Sequence, residues 1–190
     1  MAINYKKCPN CGSTNVLGIL YGMPTHEAFL KAEAGEIKLG GCCITGNDPE
    51  YFCKDCENEW DKRQVVDHAY NQINAINASV GGYFEGCYEV KIDFKNSNLK
   101  WKHFSEGFEE AFDKNIGIEE VMNFVEELKN IGFLNWKQKY VDPHTLDGTQ
   151  WSVEIVREGR NINKHGSNLY PEGWDRFCKA ICHISGRNFE

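Results

Sequence analysis

Apolar and polar positions alternate most plainly between residues 88 and 103. Tyr88, Val90, Ile92 and Phe94 are interleaved with Glu89, Lys91, Asp93 and Lys95. Asn96-Ser97-Asn98 interrupts them, and Leu99, Trp101 and His103 resume the two-residue period. This is the pattern of a β-hairpin with one face turned inward. Trp151, Val153 and Ile155 repeat it as a third strand. Elsewhere the period becomes helical: Ile118, Val121, Met122, Val125 and Leu128 recur at helical spacing, and Gly132 is placed for a left-handed stop. Pro171 suits the first turn of a last helix, whose Trp174, Phe177, Cys178, Ile181 and Ile184 share one face before Gly186. A further short helix is expected near Phe108 to Phe112. The order strand, strand, helix, strand, helix predicts an α+β fold, a small antiparallel sheet covered by helices.

The first third of the chain reads differently. Thr25 can cap a short helix through Ala34 with Gly35 as its stop, followed by a strand at Ile37 to Leu39 and a Gly40-Gly41 break. From Arg63 to Ser79, Val65, Val66, Ala69, Ile73 and Ile76 are interleaved with Asn and Gln, which predicts an amphipathic helix ended by Gly81-Gly82. These signals divide the chain into a metal-binding domain over residues 1–62, a helical linker over 63–81 and an α+β domain over 82–190.

Cysteine changes the picture most. Nine are present in 190 residues, an odd number, and four fall in two Cys-x-x-Cys pairs, Cys8/Cys11 and Cys53/Cys56. Two residues between the cysteines let both thiolates of a pair reach one ion at about 2.3 Å, and two pairs complete a tetrahedron. The spacing therefore predicts one structural zinc ion held by Cys8, Cys11, Cys53 and Cys56, although four thiolates also suit iron. Either Cys42 or Cys43 could compete as a ligand, but adjacent cysteines cannot both join a site already served by two pairs, and they are otherwise read as small buried residues; Cys87, Cys178 and Cys182 are read as core.

Residues 8–60 resemble the zinc-ribbon, rubredoxin-like segment found in many small bacterial proteins of uncharacterised activity. The resemblance rests on Cys-Pro-x-Cys-Gly-Ser at 8–13, Tyr21-Gly22-Met23-Pro24, Gly35-Glu36-Ile37, Leu39-Gly40-Gly41-Cys42, Asp48-Pro49 and Phe52-Cys53-x-x-Cys56 ending in Trp60. It covers about a third of the chain and implies a zinc-ribbon fold but no activity. One departure is Glu57, which stands where many such knuckles carry glycine.

Composition narrows the function classes. With 41% apolar residues and 13% aromatic ones, the chain has material for a core. It has no run near the roughly 18 to 20 apolar residues that span a bilayer. No apolar signal core precedes Cys8, so a reducing, cytoplasmic setting is expected. The net charge of −7 disfavours nucleic acid. Lys91, Lys95, Lys100 and Lys102 on the hairpin are diluted by Glu89 and Asp93. No nucleophile elbow, phosphate loop or metalloprotease helix motif is present. The leading expectation is a non-enzymatic protein-interaction or regulatory module with a protein partner; a nucleic-acid-associated protein comes second and an enzyme third. His144, His165, Asn168 and Tyr170, in polar glycine-bearing segments beside well-anchored elements, are the expected ligand or partner site of the second domain.

Overall fold

The structure, a computed structural model, describes residues 3–82, 86–144 and 148–190. The chain falls into two units, residues 3–69 and 70–190, and together they make an α+β protein.

In the first unit, strands β1 (Val16–Leu20), β2 (Ile37–Leu39), β3 (Tyr51–Cys53) and β4 (Glu59–Trp60) form a sheet in the order β2-β1-β3-β4. β1 and β2 run parallel, so their connection must cross over, and helix α1 (His26–Glu33) makes that crossing. Thr25 Oγ1 accepts the Ala28 N–H at 3.2 Å, and Gly35 takes φ +71° at the other end, as its sequence signals predicted. The apolar centre is small: Cys8, Cys53, Trp60 and Val65, with Ile3, Tyr5, Val16, Tyr51 and Cys56 packed around them. Trp60 lies 5.9 Å from the Tyr51 ring and donates its indole N–H to Tyr5 O at 3.1 Å. Asp61 opens helix α2 (Lys62–Asn71): its carboxylate accepts the Gln64 N–H at 2.8 Å while Gln64 Oε1 accepts the Asp61 N–H at 3.0 Å, a reciprocal capping box.

The second unit is built on seven strands. They are β5 (Ile73–Gly82), β6 (Gly86–Asp93), β7 (Asn98–Ser105), β8 (Phe108–Asn115), β9 (Lys139–Val141), β10 (Gln150–Arg157) and β11 (Ile162–Ser167). Their order is β8-β7-β6-β5-β10-β11-β9, antiparallel throughout except between β9 and β11. The hairpin β6–β7 pairs Val90 with Trp101 and Ile92 with Leu99, and Trp151, Val153 and Ile155 of β10 are buried, as the alternation predicted. Helix α3 (Ile118–Asn130), a 3-10 turn (Phe133–Asn135) and helix α4 (Trp174–Ser185) complete the core. α4 buries Trp174, Phe177, Cys178, Ile181 and Ile184 as its spacing foretold. Trp174 sits 4.7 Å from Trp151, and Phe177 stacks 5.2 Å from Phe133.

Four expectations are corrected. The helical linker expected over 63–81 stops at Asn71, and residues 73–82 are β5, hydrogen-bonded between β6 and β10 in the middle of the sheet. A bulge at Asn74 explains the misreading. The register with β10 skips from Ala75 to Ile73, so Ile73 and Ile76 both turn inward at a separation of three, which imitates a helix. The expected helix at Phe108–Phe112 is β8, folded back on β7 by Gly107 at φ +75°. On α3 the predicted face is rotated: Phe124 and Leu128 are buried, whereas Ile118 and Met122 are 77% and 66% exposed. Finally, Cys42 and Cys43 are exposed, not buried.

A lysine that no sequence signal placed in the core is buried there. Alternation along β11 sends Ile162, Lys164 and Gly166 inward. The Lys164 ammonium, 1% exposed, donates to Leu134 O at 3.2 Å and Trp136 O at 2.5 Å. Burial pushes its pKa down to about 8. Gly166 next to it lies flat against Trp151; a Cβ there would come within 2.3 Å of the indole.

Candidate metal centre

Two tight turns carry the four cysteines, and their backbones match. In the first, the Gly12 N–H returns to Cys8 O at 2.9 Å and the Cys8 N–H to Ser13 O at 2.9 Å. In the second, the Glu57 N–H returns to Cys53 O and the Cys53 N–H to Asn58 O, each at 2.9 Å. The residue after each second cysteine is left-handed, Gly12 at φ +75° and Glu57 at +58°. Glycine takes that conformation without cost, whereas glutamate holds it against a penalty of about 1–2 kcal/mol. The second knuckle thus has the same turn as the first despite lacking the glycine.

A side-chain clamp joins the turns. Asp55, between the second pair of cysteines, accepts hydrogen bonds from Ser13 Oγ and, at 2.7 Å, from Asn15 Nδ2. These bonds, Ser13 first, hold its carboxyl below the usual carboxylate range. The Lys54 N–H adds a bond to Asn15 O at 2.9 Å. This clamp has no signature in the spacing of Ser, Asn and Asp, since the residues that meet are about 40 positions apart.

The four sulfurs lie within 4.8 Å of one another. Cys8 Sγ is 3.6 Å from Cys56 Sγ, and Cys11 Sγ is 3.6 Å from Cys53 Sγ. A tetrahedron with metal–sulfur bonds of about 2.3 Å has edges of about 3.8 Å, so the group can hold one metal ion with little movement. These separations are far beyond a disulfide bond, near 2.05 Å, and all four cysteines are free. Every corner of the tetrahedron is a protein sulfur, which leaves no position for water or substrate.

As four thiols the group shares protons unevenly. The Asn58 backbone N–H, with help from Cys11, Asn10 and Cys8, pulls Cys56 down to about 7. The Ser13 backbone N–H also pulls on Cys11, but the Cys56 thiol, desolvation and the Cys53 and Cys8 thiols together outweigh it and carry Cys11 up to about 12. One negative charge is easily formed in the group and the next is resisted, which a divalent cation would reverse.

The remaining predicted residues are scattered around one end of β9 and β11. His144 is exposed, and its backbone N–H reaches Asp142 Oδ1 at 3.0 Å. The rest of that loop, Thr145 to Asp147, lies outside the described residues. Alternation turns His165 away from the core, opposite in direction to Lys164. Asn168 is left-handed at φ +54°, and its N–H bonds Thr149 O at 3.0 Å. Tyr170 lies 5.3 Å from the Trp174 ring, on the helix side, so His165 and Tyr170 do not converge. On the hairpin's outer face Lys91 pairs with Lys100 and Glu89 with Lys102, while Asp113 of β8 pairs with Lys100. The acidic dilution read from the sequence therefore extends to a third strand. Among the described residues, no helix is long and apolar enough to cross a membrane.

No protein-family model matches the chain, and no curated protein shows significant similarity to it.

Proposed function

We propose that the chain is a cytoplasmic protein-interaction or regulatory module in which a zinc ion, held by Cys8, Cys11, Cys53 and Cys56, staples residues 3–69. Zinc is preferred because it favours closed tetrahedral thiolate sites and brings no redox chemistry. The observation that supports a protein partner is the surface the staple holds out. Helix α1 buries none of its residues. Met23 just before it is 91% exposed, Leu30 50%, Phe29 48%, and Leu20 at the end of β1 41%. A helix that buries nothing, with exposed large apolar side chains about it, suits recognition by another protein better than it suits stability.

The test is affinity purification of the full chain from its native cell, beside a variant carrying Met23→Ser, Phe29→Ser and Leu30→Ser. A protein captured by the parent and lost from a variant of unchanged melting temperature supports the reading. Salt-sensitive recovery of nucleic acid with both forms would transfer the proposal to the nucleic-acid alternative. Capture unaffected by the three substitutions would remove α1 from the account.

A further inference from the structure

Cysteine is among the residue types most often buried, yet Cys42 and Cys43 stand side by side in solvent, with their sulfurs 4.0 Å apart. They are not part of the four-cysteine group. The segment that presents them is anchored on both sides. Before it, the Gly40 N–H bonds Leu20 O at 2.7 Å and the Gly22 N–H bonds Gly41 O at 3.1 Å. Gly40 is pressed so close to Tyr21 that a Cβ would meet the ring at 2.4 Å. After it, Asp48 accepts the Thr45 N–H at 2.6 Å and the Thr45 hydroxyl at 2.8 Å. Arg63 holds Asn47 Oδ1 at 2.8 Å. Both thiols therefore project from a short span between two fixed points.

We infer that Cys42 and Cys43 form a second metal site, for a soft monovalent cation of the copper(I) type, separate from the four-cysteine centre. With about 2.3 Å to each sulfur, one ion spans 4.0 Å at an S–metal–S angle of about 120°. That angle leaves room for a third, exogenous ligand such as a small thiol. Zinc requires four protein or solvent ligands and finds all four as cysteines in the other centre, so two thiolates are poor competitors for it. Copper(I) accepts low coordination and favours thiolate. Oxidation to an internal disulfide is a weak alternative fate: adjacent Cα atoms lie about 3.8 Å apart, short of the roughly 4.4–6.8 Å that disulfides span. On binding, each thiol gives its proton to solvent and two copper–sulfur bonds form. The ion arrives already monovalent, so no electron moves.

The experiment uses the full chain loaded with one equivalent of zinc, without oxygen, titrated with copper(I) as its acetonitrile complex against a bathocuproine chelator. The expected result is one copper bound per chain with zinc retained, and Cys42 and Cys43 protected from iodoacetamide as read by peptide mass spectrometry. The Cys42→Ser/Cys43→Ser double variant is expected to bind that copper at least tenfold more weakly, with zinc content and melting temperature unchanged. Undiminished copper binding by the double variant overturns the inference. So does copper uptake that expels zinc one for one from the parent, or alkylation of Cys42 and Cys43 at the unprotected rate. The protection experiment is made on the parent chain and stands even if the variant folds poorly.

Discussion

The two units differ in how much apolar material they enclose. Residues 3–69 bury four apolar side chains, two of which, Cys8 and Cys53, belong to the four-cysteine group itself. Residues 70–190 close a continuous core. Tyr70 bonds Leu128 O at 2.9 Å and receives the Leu134 N–H at 3.2 Å, and Phe133, Phe177, Leu128, Ile76 and Ile155 are each fully enclosed. A unit of about 65 residues with so small a centre falls in the size range where a metal or disulfide is usually needed, whereas one nearly twice as long does not need one. A metal held by the four cysteines would replace most of a hydrophobic core in residues 3–69.

That contrast can be broken most forcefully at the cysteines. Cys11→Ser or Cys56→Ser should abolish metal binding and unfold residues 3–69. Structural zinc sites contribute about 10–16 kcal/mol, comparable with the whole stability of a typical domain. Metal analysis and the dispersion of amide resonances check this. The converse substitution is Phe177→Ala, at a side chain 0% exposed and 5.5 Å from Trp136. It should destabilise the sheet unit by about 3–5 kcal/mol and leave metal content at parent level.

Burial lowers the Lys164 pKa from 10.5 to about 8 in the folded chain, so between those values the unfolded chain binds more protons and stability rises with pH. Relative to Lys164→Met, in which this titration is absent, the sheet unit should gain up to about 3 kcal/mol on going from pH 8 to 10.5. Urea denaturation of both proteins across that range measures the difference, and a flat difference would contradict it. The smallest effect is expected at the second knuckle. Glu57→Gly relieves the left-handed strain at φ +58° and should raise stability by about 1 kcal/mol, seen as roughly fivefold tighter retention of metal against a chelator.

What the sequence disclosed follows the same division. The grouping of Cys8, Cys11, Cys53 and Cys56 was legible because metal chemistry fixes the spacing of such pairs, and the capped helix α1 because Thr25 and Gly35 are local signals. The hairpin β6–β7 and the buried face of α4 were legible because their periods are unbroken. β5 was not: its bulge at Asn74 inserts one residue and turns a two-residue period into a helix-like one, although Ile76, Ala78 and Val80 keep the true alternation. Phe108 and Phe112 mislead similarly, four apart but opposite β7 through Ser105 and Trp101. On α3, Ile118 and Met122 drew the predicted face toward solvent because periodicity alone does not weigh Phe124 above them. Lys164 left no trace, since the carbonyls that satisfy it belong to a turn about 30 residues away.

The most direct test of the central claim is amide hydrogen exchange, read by mass spectrometry, on the full chain before and after removal of metal by a chelator. Amides in residues 3–69 should lose protection on chelation while β5, β6, β10 and α4 exchange as slowly as before. Loss of protection in both units together, or retention of it in residues 3–69, would contradict the view that metal holds one unit and apolar burial the other.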